Sequence, residues 1–200
     1  MSLKDDKILA VINYQFYEGV SAVRTWTSVS NISCEGIGLE YVSSFAYTGL
    51  STNNPRILIP HNSWRCEANW KDYSVKDLGL DRNCEFSMKR IFASNTGMWS
   101  CKEYIPMAAF YDEKSTIMWQ IESNGSWQWE ISDIDNMLYL RLSGPTERDN
   151  QWYKKLCPGE SFESVKTCLT IGNNFNSALE AMTNYRRIIF EDSENNKKMY

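Results

Sequence analysis

The chain has 200 residues, of which 42% are apolar and 23% charged, enough for one large all-β domain with its own core. Its formal net charge is −4 and its Lys and Arg are scattered, which argues against a nucleic-acid-binding protein, since such proteins need a basic surface. Aromatic residues make up 14% of the chain, a high content that suits either a thick β core or a surface that stacks against sugar rings.

The first fifty residues predict three antiparallel strands. Apolar positions alternate from Ile8 to Phe16, and a second alternating run from Val23 to Thr27 follows Glu18-Gly19, which predicts a hairpin. Leu39 to Tyr47 repeats the period of two and predicts the third strand. Because the chain starts almost inside a strand, we expect a β-domain, residues 1–190, that is incomplete at its N-terminus.

A loop-rich stretch from Ser51 to Ser74 follows, because the alternation weakens there. Long irregular segments on a rigid sheet often carry function. This stretch holds the only histidine and a group of aromatic and charged residues: His61, Trp64, Arg65, Glu67 and Trp70. A capping-box pattern over Ser74 to Asp77 predicts one short helix that Gly79 ends.

A strand and a loop are predicted next, and then a tryptophan-rich hairpin. Phe86 to Ala93 reads as the strand, and Ser94 to Ser100 reads as a polar loop that still carries Trp99. Within Thr116 to Ser132, Asn124-Gly125 separates two alternating runs, and Asn-Gly is the preferred pair for a type I′ hairpin turn.

The hairpin would present a wall of indoles on one face, formed by Trp119, Trp127 and Trp129. We expect this face to be buried core, with Trp127 and Trp129 packed against an opposing sheet. A platform for carbohydrate is the alternative interpretation.

The C-terminal part predicts two more strands and the only long helix. Met137 to Leu142 and Glu160 to Ile171 read as strands on either side of a polar loop, residues 143–157. Ser177 opens a capping box for a helix that runs to about Phe190, with Leu179, Met182, Tyr185 and Ile189 on one stripe. Residues 191–200 are polar and read as a linker or a severed end.

The six cysteines indicate reduced thiols, because they are scattered and form no pattern with zinc-ligand spacing. The start of the chain has no signal-peptide core, and no apolar run is long enough to span a membrane. The sequence therefore predicts a cytoplasmic location and neither a metal nor a cofactor.

Catalytic chemistry is weakly indicated. A glycosidase needs two carboxyl groups about 5 to 10 Å apart, and Glu67, Asp112, Glu122 and Glu130 lie near aromatics. Glu122 and Glu130 are expected on strand faces opposite the indoles, where a solvated side chain is the simpler interpretation. His61 has no recognisable partner for general-base catalysis and is expected to be a surface loop residue. The residues alone therefore predict a β-sandwich associated with carbohydrate.

Several motifs together resemble one enzyme family. In chain order they are Tyr14-Gln-Phe-Tyr17, Val23 to Asn31, Leu39 to Ser44, His61-Asn-Ser-Trp64, Ser94-Asn-Thr-Gly97, Trp119 to Glu130, Leu156 to Phe162 and Thr183 to Arg187. Their order and spacing resemble the N-terminal β-domain of the α-galactosidases of glycoside hydrolase family thirty-six. Met98-Trp99-Ser100 departs from the commonest members of that family and indicates a divergent branch.

The resemblance implies a galactose-mutarotase-like antiparallel β-supersandwich followed by a catalytic (β/α)8 barrel. In such enzymes, two barrel aspartates cleave terminal α-galactosides with retention, and the enzymes assemble as homo-oligomers. This chain ends where the barrel would begin, so we expect it to be a non-catalytic domain or fragment that is inactive alone.

The same resemblance places three residues of this chain near the sugar pocket. Trp64 and Trp99 would stack on the galactoside, and Glu67 would accept a hydrogen bond from a hydroxyl. Ordinary loop packing is the alternative for each. For the whole chain, the alternatives are an independent carbohydrate-binding module and a mutarotase-like epimerase, which would need a histidine–carboxylate pair.

Overall fold

The computed structural model of the chain describes residues 1–80 and 87–190, which form a two-layer β-sandwich with one long helix on an outer face. In chain order the elements are β1 (Ser2–Lys4), β2 (Ile8–Phe16), β3 (Ala22–Asn31), β4 (Ile37–Leu39), β5 (Ser43–Leu50), β6 (Arg56–His61), β7 (Asn69–Ser74), β8 (Ile91–Asn95), β9 (Met107–Tyr111), β10 (Thr116–Ile121), β11 (Trp127–Ile134), β12 (Met137–Ser143), α1 (Glu147–Asn150), β13 (Lys154–Leu156), β14 (Ser161–Glu163), β15 (Thr167–Gly172) and α2 (Phe175–Ile189).

The strands form two packed sheets and a small ribbon. The larger sheet has the order β1-β2-β3-β15-β10-β9-β6-β7, with β14 also paired to β3. The smaller sheet has the order β5-β12-β11-β8, and β13 pairs with β4. All of these pairs are antiparallel, so the predicted all-β antiparallel sandwich is confirmed.

The first predicted hairpin is correct, and the third predicted strand is not. Strands β2 and β3 pair in register from Ile8↔Asn31 to Phe16↔Val23. The run from Leu39 to Tyr47 divides instead into β4 and β5, and β5 crosses to the smaller sheet to pair with β12. Alternation reports that one face of a strand is buried, but it does not identify the sheet to which the strand belongs.

The predicted Asn124-Gly125 hairpin is wrong. Strand β10 pairs with β9 and β15 in the larger sheet, whereas β11 pairs with β8 and β12 in the smaller one. Neither Asn124 nor Gly125 has the positive φ of a type I′ turn. The segment is an arch between the layers, and Trp119 meets Trp129 across the core edge to face, with ring centroids 5.4 Å apart.

The structure has its type I′ turn eleven residues further along the chain. Asp135 and Asn136 both have positive φ, 49° and 61°, and they join Ile134 to its partner Met137 in the β11–β12 hairpin. The strand predicted from Met137 is therefore confirmed as β12.

Trp127 and Trp129 are fully buried in the core between the sheets, as predicted. Trp119 does not share a hairpin face with these two indoles, because it reaches the core from the larger sheet and they reach it from the smaller one. Apolar side chains from both layers surround them, among them Ile57, Phe110 and Leu140.

Several other predicted boundaries change. Strands β6 and β7 occupy much of the predicted 51–74 loop. The short helix predicted at Ser74 to Asp77 is a turn segment, residues 75–79, that ends at Gly79 with φ +83°. The short helix α1 lies instead in the predicted 143–157 loop. The predicted strand 160–171 divides into β14 and β15, and the strand predicted from Phe86, a residue outside the described ranges, is represented by β8.

The long helix α2 covers the outer face of the larger sheet. Its N-cap is Asn174, whose side-chain Oδ1 accepts from the Ser177 N–H, and the Asn174 N–H donates to Ser177 Oγ. The predicted N-cap, Ser177, is therefore wrong by about one turn. The predicted apolar stripe is confirmed, because Met182 and Tyr185 are buried against the sheet.

The five cysteines in the described ranges, Cys34, Cys66, Cys101, Cys157 and Cys168, are free thiols. Cys84 and the predicted linker 191–200 lie outside those ranges. Within them, no helix has the length and apolarity to cross a membrane, and no cluster of His, Cys, Asp and Glu is arranged to hold a metal ion.

Candidate functional site

Two loops that carry the sequence-predicted site residues lie side by side. The 62–68 loop joins β6 to β7 within the larger sheet, and the 96–106 loop leads from β8 in the smaller sheet to β9 in the larger one. Asn62 joins them, because its amide Nδ2 donates to the Cys101 carbonyl and its backbone N–H donates to the Glu103 carbonyl at 2.8 Å. Hydrogen bonds from the side chain and the backbone of Asn62 therefore hold the two loops together.

Trp64 lies in the first loop and is 79% exposed. The backbone of this loop is held by side chains on either side: Glu67 Oε1 accepts from the Arg65 N–H at 3.1 Å, and Asn62 Oδ1 accepts from the Ala68 N–H at 3.1 Å. Glu67 is itself exposed. The loop is thus ordered by hydrogen bonds while its indole remains outside the core.

Trp99 lies in the second loop and is 60% exposed. The loop turns at Gly97, whose φ is +100° and whose N–H donates to Ser126 Oγ at 3.1 Å. The next anchor is Trp127, whose buried indole N–H donates to the Ser100 carbonyl at 2.7 Å. A core tryptophan therefore fixes the backbone that presents the exposed one.

The structure brings the loops of all three predicted residues together. Trp64 and Trp99 project from adjacent loops as large exposed apolar side chains. Exposed aromatic groups on ordered loops are suited to contact another molecule or domain.

His61 differs from its prediction as a surface loop residue, because it ends β6 and is half-buried. Its Nε2 is 3.0 Å from the hydroxyl of Tyr73, and its ring lies 5.1 Å from that of Tyr104. Aromatic contacts and one hydroxyl hold the imidazole in place, which is a packing role.

Glu122 was expected to be a solvated side chain, and the structure corrects this. It accepts hydrogen bonds from Arg24, with Nε at 3.0 Å, and from the hydroxyl of Tyr185 on α2. Burial and the neighbouring carboxylate raise the pKa of Tyr185. The Glu122 carboxylate therefore connects α2, through Tyr185, to the larger sheet, through Arg24.

Glu130 was also expected in solvent, and it is only 2% exposed. One carboxylate oxygen accepts from Arg90 at 3.1 Å, and the other accepts from Arg141 and from the Tyr139 hydroxyl at 3.2 Å. Arg90 also binds Asp149 of α1 through two hydrogen bonds of 2.7 and 2.9 Å. A buried ionic network therefore lies on the outer side of the smaller sheet.

Hydrogen bonds also hold the remaining carboxylates. The hydroxyl of Ser51 and the N–H groups of Lys114 and Ser115 bond to Asp112 and lower its pKa. The hydrogen bonds from Arg90 lower the pKa of Asp149. Each of the four carboxylates that the sequence indicated, Glu67, Asp112, Glu122 and Glu130, thus already accepts hydrogen bonds that support a turn, a helix or an ion pair.

Sequence reasoning missed this network because its members are far apart in the chain. The available signal was local: Glu130 and Arg141 have opposite charge, alternate with apolar neighbours and face each other in the β11–β12 register. No sequence pattern indicated that Arg90 and helix α1 belong to the network.

No protein-family model and no curated protein sequence matches the chain, whereas solved structures match its fold. An α-galactosidase from Lactobacillus brevis superposes with a TM-score of 0.76 at 14% identity, covering 90% of this chain and 23% of that enzyme. A family 36 α-galactosidase, AgaA A355E from Geobacillus stearothermophilus in complex with 1-deoxygalactonojirimycin, gives 0.78 at 15% identity and covers 93% and 25%.

The galactosidase domain of an α-galactosidase–sucrose kinase, AgaSK, gives a TM-score of 0.74 at 17% identity, covering 91% of this chain and 24% of that one. The chain therefore has the fold of one part of these enzymes and spans about a quarter of their length. The fold expected from the motif resemblance is confirmed.

Proposed function

We propose that this chain is the non-catalytic N-terminal β-domain of an α-galactosidase-like glycoside hydrolase. The observation that carries the proposal is the superposition on α-galactosidases over about nine tenths of the chain, which matches the order of the motifs in the sequence. In this role the domain packs against a catalytic (β/α)8 barrel and supports both a homo-oligomer and the sugar pocket. The free thiols suit a reducing compartment such as the cytoplasm.

Trp64, Glu67 and Trp99 are the proposed contribution to that pocket. Two indoles that project from adjacent, hydrogen-bonded loops can stack on an α-galactoside held by the barrel, and Glu67 can accept from one of its hydroxyl groups. The rigid loop backbone favours this role, because little conformational entropy is then lost on binding.

Hydrolysis belongs to the barrel in this proposal. A retaining glycosidase needs a nucleophile and an acid/base at a fixed separation, and Asp112, Glu122 and Glu130 are engaged in structural hydrogen bonds. The parent enzyme is then a retaining α-galactosidase, and this domain alone is inactive.

The decisive experiment is to read the gene beyond the codon for Tyr200. A barrel in the same reading frame would support the proposal. A stop codon together with saturable sugar binding by the domain alone would instead favour an independent carbohydrate-binding module, for which the exposed indoles are the supporting feature.

The pocket residues are tested in the protein that carries the barrel. We expect Trp64→Ala and Trp99→Ala to raise KM for an α-galactoside, because stacking contacts are lost. The matched control is Phe16→Ala, which removes another exposed aromatic side chain, 76% exposed, from the end of β2. An unchanged KM in both tryptophan variants would contradict the assignment.

A further inference from the structure

The outer face of the smaller sheet contains a cavity of about 410 Å³ that the proposed function does not use. Short side chains on β5 lie opposite long ones on β12, which leaves space above the short ones. Thr48 pairs with Tyr139, and Ala46 pairs with Arg141. Ser132, on the neighbouring strand, lines the same cavity. Its size falls within the range of small-molecule sites, roughly 300–1,000 Å³.

The floor of the cavity is polar and already ordered. Glu130 is 2% exposed and holds Arg90, Arg141 and the Tyr139 hydroxyl at its two carboxylate oxygens. The Arg141 guanidinium stacks over the Tyr139 ring at 5.0 Å. Its Nε is buried and has no hydrogen-bond partner in the described ranges, so the floor retains an unused donor.

The charges of this floor balance. The three arginines that line the cavity, Arg90, Arg141 and Arg148, are matched by Glu130 and Asp133, which also line it, and by Asp149, the second partner of Arg90. A balanced site offers no net attraction to an anion or a cation, but it offers many charge-assisted donors and acceptors. Tyr47, 45% exposed at the wall, adds an aromatic surface.

We propose that this cavity binds a neutral pyranose sugar. The hydroxyl groups of the sugar would bond to the Glu130–Arg141–Tyr139 floor, and its C–H surface would lie against Tyr47. A rigid, paired floor suits this ligand, because a neutral polyol can share the hydrogen bonds without leaving a buried charge unmatched.

This site is separate from the proposed galactoside pocket and does not rest on the proposed function. None of its lining residues belongs to the 62–68 or the 96–106 loop. A second cavity of about 190 Å³ shares Glu130, Arg141 and Arg148 with it and extends the polar surface towards α1.

The test is an NMR titration of the full 200-residue chain with methyl α-galactopyranoside, D-glucose and, separately, inorganic phosphate. We expect saturable shifts on β5, β11 and β12 with a neutral sugar, with a dissociation constant of about 1 mM. Thr48→Leu, which fills the cavity from an exposed position, should weaken this binding by at least about tenfold and leave the melting temperature unchanged.

Ala46→Leu is the second filling variant, and Phe16→Ala is the matched control, because Phe16 is an exposed residue at the end of β2 in the larger sheet and does not line the cavity. Sugar binding that both filling variants preserve would overturn the proposal. Saturable binding of phosphate in place of sugar would overturn it as well, as would the absence of saturable binding by either sugar.

Discussion

Buried tryptophan side chains pack between the two sheets. Trp129 is fully buried and packs edge to face on Trp119, and the N–H groups of both indoles lack a partner in the described ranges. Their value to the fold is therefore apolar area and ring contact, since a buried N–H without an acceptor weakens it.

Trp129→Ala is expected to destabilise the domain by about 3 to 5 kcal/mol, because it empties the centre of the core. Urea unfolding, followed by circular dichroism, measures the change. Trp129→Phe is the matched control and should cost clearly less, since it keeps a ring and removes the unpaired N–H. A Trp129→Ala protein with the wild-type midpoint would mean that this indole does not support the core.

The pair of Asp149 and Arg90 makes stability depend on pH. The hydrogen bonds from Arg90 lower the pKa of Asp149 in the folded protein. Its contribution is therefore fully present above the unfolded pKa of ~3.9 and is lost as the pH falls through the lower folded value.

We accordingly expect Asp149→Asn to cost about 1.5 to 3 kcal/mol at neutral pH, with the difference from wild type shrinking below about pH 4. The measurement is a series of melts at decreasing pH. Asp72→Asn is the control, because Asp72 pairs with Arg56 at an exposed site, 40% and 41% exposed, and such pairs contribute about 0 to 1 kcal/mol. Equal losses in the two variants would contradict this account.

At the scale of elements, the hydrophobic pattern predicted the strands and the helix whose positions depend on neighbouring residues in the sequence. The β2–β3 hairpin, β12 and α2 were predicted, because each has sustained periodicity and, for the hairpin, a short connection. Strand β9 was missed because both of its faces are buried and it shows no alternation. The partner of β11 could not be predicted, since Asn-Gly permits a hairpin turn without requiring one.

Gly125 distinguishes the arch from a hairpin, and Gly97 in the 96–106 loop is a comparison residue with positive φ. A Cβ on Gly125 would meet only the Gly97 carbonyl, at an ordinary 3.7 Å, and its backbone does not need positive φ. Gly125→Ala should therefore be nearly neutral. Gly97→Ala should cost about 1 to 3 kcal/mol, because its φ of +100° is strained for any residue with a Cβ.

Thermal melts of the two alanine variants measure the contrast. The space around Gly97 is open, so a steric clash cannot cause the loss of stability in Gly97→Ala. The comparison therefore measures backbone strain. A large loss of stability for Gly125→Ala would restore the hairpin interpretation, and a neutral Gly97→Ala would contradict the strain expected at its φ.

At the scale of the molecule, the sandwich and helix form a scaffold on which two different surfaces are presented. Motif order allowed Trp64, Glu67 and Trp99 to be proposed from sequence. The Arg90–Glu130–Arg141 floor could not be proposed in that way, because Arg90 and Asp149 are 59 residues apart and only the tertiary fold brings them together.

We expect the purified 200-residue chain to show no turnover of an aryl α-galactoside, because the catalytic carboxyl pair of the proposed parent enzyme lies in its barrel. Product release followed by absorbance is the measurement. Glu67→Gln is the informative variant: turnover that this substitution abolishes would place a complete active site inside the β-domain.

The arch between β10 and β11 has a consequence for how the chain folds. It brings Trp119 and Trp129 together over only ten residues, and loops of about that length close in roughly 10–100 ns. The β3–β15 pairing joins Thr25 to Thr167 across 142 residues. Closing this loop therefore costs more conformational entropy than closing the arch. The contact between the layers should then form before the large sheet is complete, so Trp129→Phe should slow refolding, whereas Leu169→Ala on β15 should mainly speed unfolding in stopped-flow measurements.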